Sequence, residues 1–184
     1  MTDPEYFKKR LEILEKDKAV IRSKFNILLL GAFYPDHQFK RLKGIKSKLI
    51  EKGWDKTHMV CDSPKTYEGK KRGVQTIRER SFSAINDANA VVFIFTKGGQ
   101  SDGRGMEVEH VFRTPYLLWK TIMIFEEDDH MIYGSEMIKD ELKKIKGEVI
   151  IAYVPVEDDE YLIETIESHL ENLIKDYPKI SDNI

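Results

Sequence analysis

Glu107, Glu109 and His110 stand close together in the stretch TKGGQSDGRGMEVEHVF, residues 96–112, behind Gly98, Gly99 and Gly103. The apolar run AVVFIF comes just before it and an apolar helical rhythm follows. Glycines let a ligand approach the backbone closely. With Ser101 or Asp102 as the cap, Glu107 falls in the first turn or two of a helix, where the helix dipole favours the ionised form. A charged carboxylate there can act as a nucleophile or accept sugar hydroxyls. It can equally be an acid that only matches the dipole. Glu109 lies about 200° further round the helix and is expected to face solvent.

Other patterns have chemical potential. Lys70, Lys71, Arg72, Arg78 and Arg80 gather in YEGKKRGVQTIRER, where side-chain charge, Gly73 and a helix start suit a phosphate. An ordinary solvated face is the competing reading, and Tyr67 in the same loop could stack on a base. Glu107 with His110, and EDDH at 127–130, each give a Glu-x-x-His spacing. The di-iron arrangement needs such pairs on helices with more carboxylates opposite. EEDDH at 126–130 is therefore read as a solvated acidic loop, and no metal or cofactor is expected. A Walker P-loop and the dinucleotide glycine fingerprint are absent. So are the acidic pair and strand-end aspartate of a phosphate receiver, and the flavin-binding loop.

Continuous apolar runs in FNILLLGAF, AVVFIF, TIMIFEE and EVIIAYV read as strands buried on both faces of a parallel sheet, with THMVCD as a shorter one. Helical patterns alternate with them: HQFKRLKGIKSKLIEKG closed by Gly53, VQTIRERSFSAINDA, a helix from about Arg104, SEMIKDELKKIKG, and a closing helix after residue 157. This predicts a three-layer α/β/α fold with a doubly wound, flavodoxin-like parallel five-stranded sheet of order 2-1-3-4-5. Ligands in such folds sit at the carboxyl ends of the strands, near the switch between strands 1 and 3. Residues 1–24 read as an extra N-terminal amphipathic helix, and 25–184 as a single domain.

The 184 residues are 41% hydrophobic and 34% charged with a formal net charge of -2, which describes a soluble globular chain without a field for nucleic acid. The single cysteine, Cys61, excludes an internal disulfide framework, suits the cytoplasm and reads as a small buried residue at a strand end. No membrane span or signal peptide is expected. The apolar stripe of the N-terminal helix needs cover, which predicts a homodimer or larger assembly, or packing on its own domain.

Taken in order, NILLLGAFYPD, FSAINDANAVVFIF, SDGRGMEVEHVF and KTIMIFEED resemble the nucleoside 2-deoxyribosyltransferase family and its nucleotide-cleaving or nucleotide-binding relatives. Gly31, Phe33 and Tyr34 match that family's first strand end. Ile85, Ala88 and Asn89 match its Ile-x-x-Ala-Asp. Gly103 and Glu107 keep the Gly-to-Glu spacing of its catalytic helix. The resemblance implies Glu107 as nucleophile, with Gly31, Phe33, Tyr34 and Gly103 around a nucleoside or nucleotide; Asp62, Arg72 and Thr96, in the loops after strands 2 and 3, are read as further ligand-binding candidates. Thr96 stands where the family has a proton-donating aspartate, which leaves Asp102 or His110 for that role. Glu109 and His110 also stand where the family usually has Gly-x-Ala. Two readings follow: an enzyme breaking an N-glycosidic bond, or a non-catalytic nucleotide sensor or interaction domain resembling Toll/interleukin-receptor domains.

Overall fold

The computed structural model describes residues 15–62, 76–99, 104–145 and 149–181. Five parallel strands form one sheet: β1 (Ile27–Leu30), β2 (Thr57–Met59), β3 (Ala90–Phe95), β4 (Thr121–Glu127) and β5 (Ile150–Pro155). Their order is β2-β1-β3-β4-β5, the flavodoxin-like arrangement expected from the alternation of apolar runs and helical patterns.

Period-two alternation divides β1, β3 and β4 between two cores. Val92 and Ile94 of β3 join a cluster with Leu42, Ile45 and Leu49 of α2 (Asp36–Glu51) and Leu162, Ile166 and Leu170 of α7 (Asp159–Ser181). Val91, Phe93 and Phe95 face the other way. There they meet Ile85 of α3 (Ile77–Asp87), Val108 and Val111 of α4 (Arg104–Phe112), Leu117 of α5 (Pro115–Leu118) and Ile138 of α6 (Glu136–Lys144). Burying one such side chain is worth about 1.5–3 kcal/mol, so β3, buried along its whole length, anchors both layers.

Local signals set the helix ends. Thr76 accepts from Glu79 N while the Glu79 carboxylate takes Thr76 N, a capping box that starts α3. Gly53, at φ +92°, follows the end of α2 in a conformation that favours glycine. Pro115 at the first turn of α5 suits a short helix between α4 and β4.

Residues 15–24 form α1. Arg22 pairs with Glu171 of α7 and its guanidinium lies 5.6 Å from the Trp54 ring centroid, so this helix packs on its own chain. Val20 and Ile21 remain exposed.

Strand THMVCD is shorter than read. The Asp62 carboxylate accepts Met59 N at 2.7 Å, and Val60–Asp62 fold into a 3-10 turn. Cys61 is consequently exposed, not buried as expected. Partial burial, followed by the nearby Asp62 charge, raises its pKa and keeps the thiol protonated. Among the described residues no helix is long and apolar enough to cross a membrane.

Candidate functional site

The carboxyl ends of the parallel strands define one edge of the sheet, and α4 begins just beyond β3. Glu107 lies in the first turn of α4. Its Oε1 accepts the Ser81 hydroxyl of α3 at 2.8 Å. Its Oε2 is buried and has no partner among the described residues. Ser81 is fully buried where α3 meets α4. One oxygen thus holds the rotamer while the other is a buried acceptor without a partner among the described residues, on a helix end whose dipole supports negative charge. Arg80, next to Ser81 in the chain, likewise has a buried Nε without a partner among the described residues.

His110 follows Glu107 by three residues, so it sits about 4.5 Å further along the axis of α4. Its ring stacks on Phe82 with centroids 4.1 Å apart, and Nε2 lies 3.2 Å from Asn86 Oδ1. Burial first, then the charge of Arg78, lowers its pKa. The Tyr116 hydroxyl also reaches Asn86 Oδ1, and Lys120 Nζ donates to the Asn86 and Ala88 carbonyls. His110 is therefore held by the far half of α3, toward the amino ends of the strands. Glu109 is exposed and paired with Arg113 at 2.5 Å.

Gly31 and Thr96 meet at the switch between β1 and β3, where they line a crevice of about 10 Å³ with Gln38 and Arg41. A methyl group on Gly31 would come 3.1 Å from Leu42, which shows how closely α2 approaches. Thr96 Oγ1 is buried without a partner among the described residues. Phe33 and Tyr34 project from the loop after β1, and Phe33 packs on Phe39 with centroids 5.3 Å apart. Asp62 serves its own turn and takes Lys46 Nζ at 2.9 Å. Its pKa is lowered: burial opposes this, but the Lys46 and Met59 hydrogen bonds outweigh it. Arg72, Asp102 and Gly103, with Tyr67, Lys70, Lys71, Gly73 and Ser101, lie outside the described residues.

Reading EEDDH as a solvated loop fails at its first residue. Glu126 is fully buried at the end of β4. Its Oε2 takes Lys97 N at 2.7 Å, and its Oε1 takes Glu157 N at 2.9 Å and Arg41 at 2.6 Å. Arg41 in turn donates Nε to Asp159 Oδ1 at 2.5 Å. Burial alone would lower the guanidinium pKa, but the bonds to Asp159 and Glu126 raise it. One carboxylate, with both oxygens engaged, therefore fixes the loops after β3 and β5 to the end of β4. Beside it, Asp128 Oδ2 accepts the Tyr133 hydroxyl at 2.5 Å and Lys97 Nζ at 3.3 Å. The Tyr133 bond, foremost among several, holds the Asp128 carboxyl well below the usual range. Among the described residues no group of three or more His, Cys, Asp or Glu is placed to hold a metal ion.

Ser81, Arg41 and Glu126 had no sequence signal of their own. Their roles come from partners on other elements.

No family model matches this chain, and neither does any curated protein. Among solved structures, it is similar to a conserved protein from Enterococcus faecalis V583 at 8% identity and a TM-score of 0.50. The match covers 79% of this chain and 98% of that one. At that identity the likeness concerns the fold alone.

Proposed function

We propose that the chain binds a nucleoside or nucleotide at the carboxyl edge of its sheet and breaks or transfers its N-glycosidic bond, with Glu107 as nucleophile. The observation that carries this reading is the Glu107 carboxylate, held through Oε1 by Ser81 while the buried Oε2 has no partner among the described residues. In this reaction Oε2 attacks the anomeric carbon. The carbon–nitrogen bond breaks, and its electron pair leaves with the base, which takes up a proton. Water or a second base then displaces the carboxylate and releases the sugar. The nucleoside 2-deoxyribosyltransferase-like motifs around Gly31, Phe33, Tyr34 and Glu107 support this substrate class.

Thr96 supports a second reading. A buried hydroxyl at the end of β3 is a poor acid, so a pocket that binds the nucleotide without cleaving it is the alternative. Incubation with nucleosides, nucleoside monophosphates and NAD, followed by chromatography for free base, separates the two. Base release that disappears in Glu107→Gln supports the enzyme. Saturable binding without release supports the sensor, and neither binding nor release sinks both.

A further inference from the structure

We propose that the crevice between α2 and the end of β3 binds one neutral hydrogen-bonding oxygen, supplied by a hydroxyl or carbonyl group or by water, and that it refuses anions. Gly31, Gln38, Arg41 and Thr96 line it, backed by Leu42 and Ile94. Leu42 and Ile94 belong to the core on the α2 face of the sheet. Ser81 and Glu107 meet on the opposite face, where α3 and α4 cover the second core. The site therefore stands or falls apart from the Glu107 reading.

Two buried polar atoms point to a ligand. Thr96 is only 9% exposed, and its Oγ1 has no partner among the described residues. Arg41 gives Nη1 to Glu126 at 2.6 Å and Nε to Asp159 at 2.5 Å, while its buried Nη2 has no partner among the described residues. The two atoms therefore do not bond each other. Gln38 Nε2 is committed elsewhere, to the Lys97 carbonyl at 2.8 Å. Leaving buried donors unpaired is costly, and one oxygen seated between Arg41 and Thr96 would satisfy both.

Size and charge narrow the occupant. The crevice holds about 10 Å³, and a water molecule needs about 10–15 Å³ on the same measure, so a single oxygen enters where a ring or a phosphate does not. A guanidinium only donates, which makes the occupant an acceptor, and the Thr96 hydroxyl can donate to it or accept from it. The single positive charge of Arg41 already faces the Glu126 and Asp159 carboxylates. An anion would meet net negative charge there, whereas a neutral oxygen is not repelled.

Crystal structures of the protein alone, and of crystals soaked with D-ribose or with inorganic phosphate, test the proposal. A density peak is expected within about 2.5–3.2 Å of both Arg41 Nη2 and Thr96 Oγ1. A peak that stays isolated identifies the oxygen as water. A peak that continues into a sugar after the ribose soak identifies it as a ligand hydroxyl, and either result upholds the site. Phosphate should leave the peak unchanged. Thr96→Ser keeps a hydroxyl and should keep the peak, whereas Thr96→Val, with its fold checked by circular dichroism, should lose it. Arg41 stays intact in both variants because it also braces Glu126. An empty crevice in the wild type overturns the proposal. So does phosphate seated on Arg41 Nη2, or a peak that persists unchanged in Thr96→Val.

Discussion

Ser81 donates its hydroxyl to Glu107 Oε1 across 2.8 Å, tying α3 to the first turn of α4 with a fully buried donor. The pair holds a carboxylate in a single orientation at the edge of the sheet where ligands bind in this fold. Preorganisation of this kind matters for a nucleophile because the attacking atom must be held in place.

Glu107→Gln keeps the shape and removes the attacking charge. If Glu107 acts on an anomeric carbon, base release should fall by orders of magnitude while ligand affinity changes little. If it only accepts sugar hydroxyls, affinity should drop instead. Turnover and binding measured side by side decide, and unchanged turnover removes Glu107 from the mechanism.

Ser81→Ala leaves Glu107 Oε1 without its donor. The expected loss is about 1–3 kcal/mol of stability and, if Glu107 is the nucleophile, slower base release as the carboxylate loses its orientation. Urea unfolding and turnover read the two effects. A variant matching wild type in both would show that the hydrogen bond orients nothing.

Glu126→Ala removes a buried carboxylate and leaves Arg41 with Asp159 as its remaining acidic partner. Breaking one side of a buried pair costs about 3–5 kcal/mol, and here the Lys97 and Glu157 amides lose their acceptor as well. A large fall in melting temperature is expected. A shift no bigger than that of an exposed ion pair such as Lys143–Asp140 would contradict the bracing role.

Gly134 sits at φ +141°, and a methyl group there would lie 2.9 Å from two atoms of the buried Phe125 ring. Gly134→Ala should destabilise by roughly 1–3 kcal/mol, from overpacking together with backbone strain. Equal unfolding midpoints for wild type and variant would mean that the ring moves freely.

Lys120 is buried against the end of α3, and burial lowers its pKa to about 8 from an ordinary 10.5, with Asp87 opposing. Between those values the unfolded chain holds more protons than the folded one. Stability attributable to Lys120 should therefore rise with pH across that window, by at most about 1.4 kcal/mol per pH unit, and stay flat below it. Unfolding free energies of wild type and Lys120→Met, compared from neutral pH upward, check this. A difference that does not change with pH would mean an ordinary lysine.

Sheet order was legible because it depends on a coarse pattern. AVVFIF and TIMIFEE must be buried on both faces, and right-handed crossovers leave few ways to arrange strands that alternate with helices. Glu107 was legible as a candidate because glycines before a helix start are a local signal. Glu126 was not. In sequence it is one of four consecutive acids, and its burial depends on amides 29 and 31 residues away and on Arg41.

The sequence by itself determined the layers, the strand runs and the position of Glu107 at a helix start, since hydrophobic periodicity and helix-end chemistry act between near neighbours in the chain. Only the tertiary structure decided which oxygen of Glu107 is engaged, that His110 turns to Phe82 and Asn86, and that Glu126 is a buried brace while Glu127 is exposed. Those outcomes depend on which distant groups close packing places within hydrogen-bond reach. A carboxylate's desolvation is offset only where such partners converge.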